Sequence, residues 1–317
     1  MRVLILFLDG VGIGRRDESV NPFFASRLPA LRWLLGGSLP SLRHREISNH
    51  RATLLPLDAT LGIEGLPQSG TGQTALFTGL NGAKLIGRHF GPYPYSSLKP
   101  VIEEHNIFRR LKAVRKKPYF ANAFPQRFFD YVSQHRSRLT VTTLSCVMSG
   151  IPLLRYEDLC AGRGVSADIT NRGWTDIGYP DLAKIEPEEA GRRLARLSKK
   201  YDFVLFEYWK TDHAGHSKSM ETAIEVLELF DAMLSGILEL LDTHRTLLLV
   251  ASDHGNIEDM STKSHTRHPV PVIMYGRDHE RLASRLSQPR KGSPANLTHV
   301  TPVLMEYITG TPANPAR

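Results

Sequence analysis

Four short apolar runs punctuate the chain: Val3–Leu8, Phe203–Phe206, Thr246–Ala251 and Val270–Tyr275. Continuous Val/Ile/Leu runs of this length predict strands buried on both faces, as in parallel sheets covered by helices. Pro118–Phe124 is a weaker fifth candidate. Between the runs the period changes. Ile224, Leu227, Phe230, Leu234, Ile237 and Leu241 fall at three- and four-residue steps, which predicts a long helix with one apolar stripe. Glu103–Lys117 and Glu186–Lys200 are shorter amphipathic candidates. Strands alternating with helices predict an α/β fold with a mostly parallel sheet sandwiched by helices.

From Pro125 to Ile185 this rhythm breaks. A possible strand, Leu139–Val147, stands among turn signals such as Gly150-Ile151-Pro152 and Gly178-Tyr179-Pro180. Residues 125–185 are therefore expected to form a small inserted cap, or substrate-specificity segment, on a core of residues 1–124 and 186–317. After Tyr275 comes a polar segment, Arg277–Asn296, then a last short helix near Thr301–Ile308.

Composition excludes several classes. Of 317 residues, 41% are hydrophobic and 23% charged, which rules out wholesale disorder. Two cysteines, Cys146 and Cys160, cannot build a disulfide framework or a Cys-rich zinc site. The apolar run at Val3–Leu8 is too short for a signal-peptide core. No stretch approaches the roughly 20 apolar residues of a membrane span. The expectation is a soluble, cytoplasmic protein with no membrane partner. Its formal net charge is +8, which first points to an anionic partner. Yet Glu103–Lys117 carries six bases against two acids, and Glu186–Lys200 five against three. Both put acids at the helix start and bases at its end, which complements a helix dipole on a solvated surface. With no basic face interleaved with aromatics, nucleic-acid binding is not expected.

The residues that carry chemistry follow the strands. Asp9 ends the first run in Leu8-Asp9-Gly10, where open α/β sheets place ligands, although Asp-Gly is also an ordinary turn. The segment Gln68-Ser69-Gly70-Thr71-Gly72 supplies small residues for close approach to an anion; Ser69 or Thr71 is a nucleophile or a helix cap. Asp212 and His216 stand four apart, so one helical turn puts both on one face. Ser252, Asp253 and His254 directly follow Thr246–Ala251, and His265 precedes Val270. One sheet edge can gather all six. Three carboxylates, three imidazoles and no thiol suit Mn²⁺ or Zn²⁺, and six ligands fit two divalent ions better than one tetrahedral zinc.

Taken together, these motifs resemble the alkaline phosphatase superfamily of metalloenzymes, and in particular its branch of cofactor-independent phosphoglycerate mutase and phosphopentomutase. Leu8-Asp9-Gly10, Asp212-x-x-Gly215-His216, Asp253-His254-Gly255-Asn256 and His265-Thr266-x-x-Pro269-Val270-Pro271 match that family's metal segments. The resemblance implies one metal held by Asp212, His216 and His265, and a second by Asp9, Asp253, His254 and the nucleophile. The family's nucleophile has Gly three residues later and again nine or ten later. Ser69 meets this with Gly72 and Gly79 and is the choice, with Thr71 in reserve. Gln73 stands where the two mutases carry His.

The implied chemistry is phosphoryl transfer through a phosphoserine, on a small phosphorylated substrate. Lys84 and Arg88, just beyond the nucleophile segment, are candidate phosphate clamps or plain surface bases. His213 and His268 flank the ligands. The cap is short beside those of the mutases, and a mutase must shield its intermediate from water. A phosphoester hydrolase is thus the first reading and a phosphomutase the alternative.

Overall fold

The computed structural model describes residues 1–134, 138–288 and 294–311. Its strands are β1 (Arg2–Leu8), β2 (Ala52–Leu57), β3 (Pro118–Phe120), β4 (Phe203–Tyr208), β5 (Thr246–Ser252) and β6 (Val270–Tyr275). With the short edge piece Ile47–Ser48 they form one sheet, in the order Ile47–Ser48, β2, β6, β5, β1, β4, β3. β5, β1, β4 and β3 are parallel neighbours. β6 and β2 run antiparallel, so Val270–Tyr275, read as a parallel-type run, reverses direction. This α/β architecture has the expected parallel centre.

Successive residues of β1 point to opposite faces, and both faces are covered. Leu4, Leu6 and Leu8 join Phe206, Phe230 and Leu234 on one side. Val3, Ile5 and Phe7 join Phe77, Phe108 and Leu249 on the other. Each such fully buried Leu or Phe contributes about 1.5–3 kcal/mol, and burial on both sides is why the run reads as continuously apolar. The covering helices that matter for the site are α1 (Ser69–Thr78), α2 (Val141–Met148), α3 (Pro187–Ser198), α4 (Lys210–Ser217) and α5 (Met220–Leu240).

Three expectations fail locally. Leu139–Val147 is not a strand but mostly α2, capped by Thr140, which accepts from the Thr143 amide. Its β-branched residues favour a strand in isolation, but Val141, Leu144 and Cys146 are buried on one helix against apolar neighbours, and packing overrides propensity. Glu103–Lys117 is likewise two helices, Lys99–His105 and Ile107–Ala113. Asn106 breaks them, its side chain accepting from the Arg109 amide as an N-cap. Pro118–Phe124 also divides: Asn122–Ala123 leaves the main sheet to pair with Val165–Ser166. Within 125–185, Cys146 and Ile151 pack into the core cluster, whereas Leu154, Leu159, Trp174 and Leu182 form a separate one. The polar Arg277–Asn296 stretch contains a helix, His279–Ser287, and its residues 289–293 lie outside the described residues. Among the described residues no helix is long and apolar enough to cross a membrane.

Candidate metal centre

The strand order explains how distant residues meet. β1 lies between β4 and β5. Asp9 follows β1, Asp253 and His254 follow β5, and α4, with Asp212 and His216, follows β4. Three neighbouring strands thus deliver their acids to one edge, and the loop before β6 adds His265. Gly10 keeps the approach close: its φ is +69°, and a Cβ there would meet Asp212 Oδ1 at 2.5 Å. Gly72 does the same for the nucleophile helix, where a Cβ would meet the Asp253 carbonyl at 2.6 Å.

Two groupings result, joined by Asp212. In the first, His216 Nε2 is 3.3 Å from Asp212 Oδ2, and His265 Nε2 is 3.6 Å from Asp212 Oδ1. The other ring nitrogens face carbonyls: His216 Nδ1 donates to Lys263 O at 2.9 Å and His265 Nδ1 to Pro67 O at 2.8 Å. A carbonyl only accepts, so each Nδ1 carries a proton, and Nε2 is the atom that each ring turns toward Asp212. Those two Nε2 atoms are 3.1 Å apart. Two ring nitrogens converging on one carboxylate suit a shared cation, and an imidazole held through its other N–H is the usual arrangement of a metal ligand.

The second grouping is buried. Asp253 and His254 are fully inaccessible, and Asp9 and Ser69 nearly so. His254 Nε2 lies 3.2 Å from Asp9 Oδ1, 3.8 Å from Asp253 Oδ2 and 2.9 Å from Ser69 Oγ. Asp253 Oδ2 has no hydrogen-bond partner. Burial pushes the Asp253 carboxyl well above its usual range, and the Asp9 charge adds to it. Burial raises Asp9 as well. Burial alone would lower His254, but the Asp253 and Asp9 carboxylates outweigh it and lift the ring to about 10. His265 is pushed down to about 4 by burial and by the charge of His254. Desolvated carboxylates and an orphaned oxygen are what a divalent cation would stabilise. The residues present therefore fit divalent-metal binding.

The remaining expectations divide. Ser69 opens α1, with Gln68 as N-cap residue, so its hydroxyl is free of capping and turned to His254 and Asp9. The Thr71 hydroxyl instead donates to Gln68 O at 3.1 Å and accepts from the Phe90 amide. The structure does not bring Lys84 or Arg88 into the cluster. Lys84 is exposed on a short helix, and the Arg88 guanidinium lies over the rings of Phe90 and Tyr95. Gln73 Nε2 approaches Asp9 Oδ2 at 3.5 Å, and its Oε1 is buried without a partner.

Two further residues support the ligands: Asn256, which closes the Asp253-His254-Gly255-Asn256 segment, and Glu258, which escapes sequence reasoning. Asn256 Nδ2 donates to Asp212 Oδ1 at 2.6 Å and to its carbonyl, fixing the shared ligand. Glu258 is fully buried and accepts from the Gly12 and Asn256 amides at 2.9 and 2.7 Å, from the Thr266 hydroxyl and from His268 Nδ1 at 3.0 Å. Burial would raise its carboxyl, but the His268 and Thr266 donors hold it below the usual range. It ties the loop after β1 to the loops that carry Asp253, His254 and His265. The one signal was an acid two residues beyond Asp253-His254-Gly255-Asn256.

Glu207, near the end of β4, is buried and pushed up to about 8 by burial, against an ordinary 4.5. Between these values the folded chain keeps a proton that the unfolded chain releases. The contribution of Glu207 to stability therefore falls as pH rises from about 4.5 to 8, by up to about 1.4 kcal/mol per unit. Urea midpoints at pH 5 and 8 check this: Glu207→Gln removes the part of the slope due to this group.

An α/β core that gathers carboxylates, imidazoles and a buried serine at one sheet edge suits a divalent-metal site, and comparison with known proteins shows what the chain resembles. Residues 183–311 match the family model of the Metalloenzyme superfamily. A 2,3-bisphosphoglycerate-independent phosphoglycerate mutase of Ruthia magnifica subsp. Calyptogena magnifica is 32% identical over 147 residues, 42% of this chain and 27% of the mutase. Its counterpart in Pyrococcus abyssi is 29% identical over 153 residues, 46% of this chain and 36% of the mutase. These matches span well under half of the relatives' own length. The fold is also that of a Leishmania mexicana phosphoglycerate mutase (TM-score 0.51, 11% identity, covering 99% of this chain and 96% of that one). A cold-active alkaline phosphatase from Shewanella sp. shares it too (TM-score 0.53, 12% identity, covering 97% and 100%). The chain thus resembles the Metalloenzyme superfamily over residues 183–311 and shares its fold with a phosphoglycerate mutase and an alkaline phosphatase.

Proposed function

We propose that this enzyme transfers the phosphoryl group of a small phosphate monoester by way of Ser69, with two divalent ions, Mn²⁺ or Zn²⁺, at the two groupings described above. The observation that carries the reading is the placement of Ser69 Oγ: buried, unused for capping, and within 2.9 Å of His254 Nε2 and 3.5 Å of Asp9 Oδ1. Asp212, His216 and His265 would hold one ion, and Asp9, Asp253, His254 and Ser69 the other. Bound there, the ions would lower the pKa of the serine hydroxyl and offset charge on the phosphoryl oxygens. Ser69 attacks phosphorus in line with the ester oxygen: the Oγ–P bond forms as the P–O ester bond breaks. The proton given up by the hydroxyl balances the one the departing alkoxide takes. A second acceptor then takes the group from Ser69.

If that acceptor is water the enzyme is a phosphatase; if it is a substrate hydroxyl, a phosphomutase. The relatives' names favour the mutase. The hydrolase is favoured by the short cap, part of which (Cys146 and Ile151) packs into the core, and by Gln73 in place of the mutases' His. Residues 1–124 and 186–317 are proposed as the catalytic core and the rest as the specificity segment. Metal-loaded protein is to be incubated with phosphate monoesters, sugar phosphates and phosphoglycerate. Release of inorganic phosphate supports the hydrolase, and isomerisation without release the mutase. Neither reaction on any of them would contradict phosphoryl transfer.

A further inference from the structure

A cavity of about 690 Å³ lies between the 125–185 segment and the catalytic edge, within the size range of small-molecule sites. It adjoins the proposed centre on two sides. Tyr93 lines it, and the Tyr93 carbonyl packs directly on Gly70, next to Ser69. Trp209 and Lys210 also line it and open α4, the helix of Asp212 and His216. Its walls are largely flat aromatic surface: Phe124 and Phe128, stacked with ring centroids 4.2 Å apart, Trp174, and Trp209, which is 43% exposed. Glu207 lines it as well, although this residue is only 4% exposed. Its Oε2 accepts from the Thr142 hydroxyl at 2.5 Å, whereas Oε1 is buried without a partner. An unpartnered carboxyl oxygen in an apolar wall is costly unless a ligand satisfies it.

Resting on the phosphoryl-transfer reading, we infer that this cavity takes the organic group of the substrate, and that this group is a flat nitrogen heterocycle whose polar edge meets Glu207. Aromatic walls stack on a ring face. A glycerate or an open-chain sugar would leave them wet and its own hydroxyls unpaired. Burial keeps the Glu207 carboxyl protonated near neutrality, and with Oε2 taken by Thr142 the unpartnered Oε1 is the atom left for a polar ring edge. The rim bases Arg127 and Arg138 are exposed and stand at the mouth.

Two of the three tryptophans, Trp174 and Trp209, line the cavity, so intrinsic fluorescence reports on it directly. Adenosine, which carries the ring without phosphate, is titrated into the full chain, and phosphate release from AMP is compared with release from glycerol 3-phosphate. The expected results are saturable quenching by adenosine and a kcat/KM at least tenfold higher for AMP. In Trp209→Ala, whose exposed side chain makes misfolding a minor concern, that ratio falls at least fivefold and adenosine binds more weakly. Phe128→Ala is the second variant, checked for folding by thermal denaturation. Phosphate release with no adenosine quenching and no preference for AMP overturns the inference and leaves phosphoryl transfer standing. Adenosine quenching without phosphate release from any ester supports the ring site and sinks phosphoryl transfer instead.

Discussion

Ser69→Ala lowers phosphoryl transfer by roughly 10³- to 10⁶-fold, the range seen when an enzyme loses its nucleophile. The large effect follows from the absence of a substitute. The Thr71 hydroxyl is committed to Gln68 O and the Phe90 amide, and no other hydroxyl among the described residues bonds both Asp9 and His254. Fold stability should hardly change, because Gln68 rather than Ser69 occupies the N-cap position, and an alanine suits a helix start. Steady-state kinetics beside thermal denaturation separates the two quantities. A variant as stable as the parent but without turnover is the expected outcome; turnover above about a tenth of the parent's would move the nucleophile elsewhere.

Chelation, or Asp253→Asn, is expected to remove activity by at least about a hundredfold, since loss of even an outer-shell partner costs 10–100-fold. Asp253 is fully buried, with one oxygen bonded to the Gly10 amide and the other unpartnered. Asparagine removes the charge while keeping the shape. Metal analysis of stripped and reloaded protein should give two ions per chain for the parent and fewer for the variant. Bound ions should also stabilise the fold, by about 2.7 kcal/mol when free metal is a hundredfold above Kd, so chelator should lower the parent's Tm and barely move the variant's. A parent that folds and turns over with less than one ion per chain would contradict both groupings.

How much of this was legible in the sequence depends on whether a residue's environment leaves a pattern. β1, β4, β5 and β6 are buried on both faces, and that burial writes continuous apolar runs. Ala52–Leu57 is buried as well, but Pro56 within it reads against a strand, and an antiparallel neighbour tolerates it. The helix at Val141–Met148 was hidden because its β-branched residues favour a strand locally, while the Thr140 cap and the packing of Leu144 and Cys146 act only in three dimensions. The acids and imidazoles of the site were legible because each follows or precedes a strand. Glu258 and Glu207 were not, since a single acid in a sequence carries no mark of burial. Nothing in the spacing of Phe124, Phe128, Trp174 and Trp209 shows that they share one cavity.

The central claim is that Ser69 carries the phosphoryl group in a metal-dependent step. Metal-loaded protein is mixed with a turned-over phosphate ester, quenched in acid and mapped by mass spectrometry. The account predicts one added phosphoryl group on Ser69, absent after chelation and absent in Ser69→Ala. Phosphate transfer with the label on Thr71, or with no label on Ser69, would contradict it.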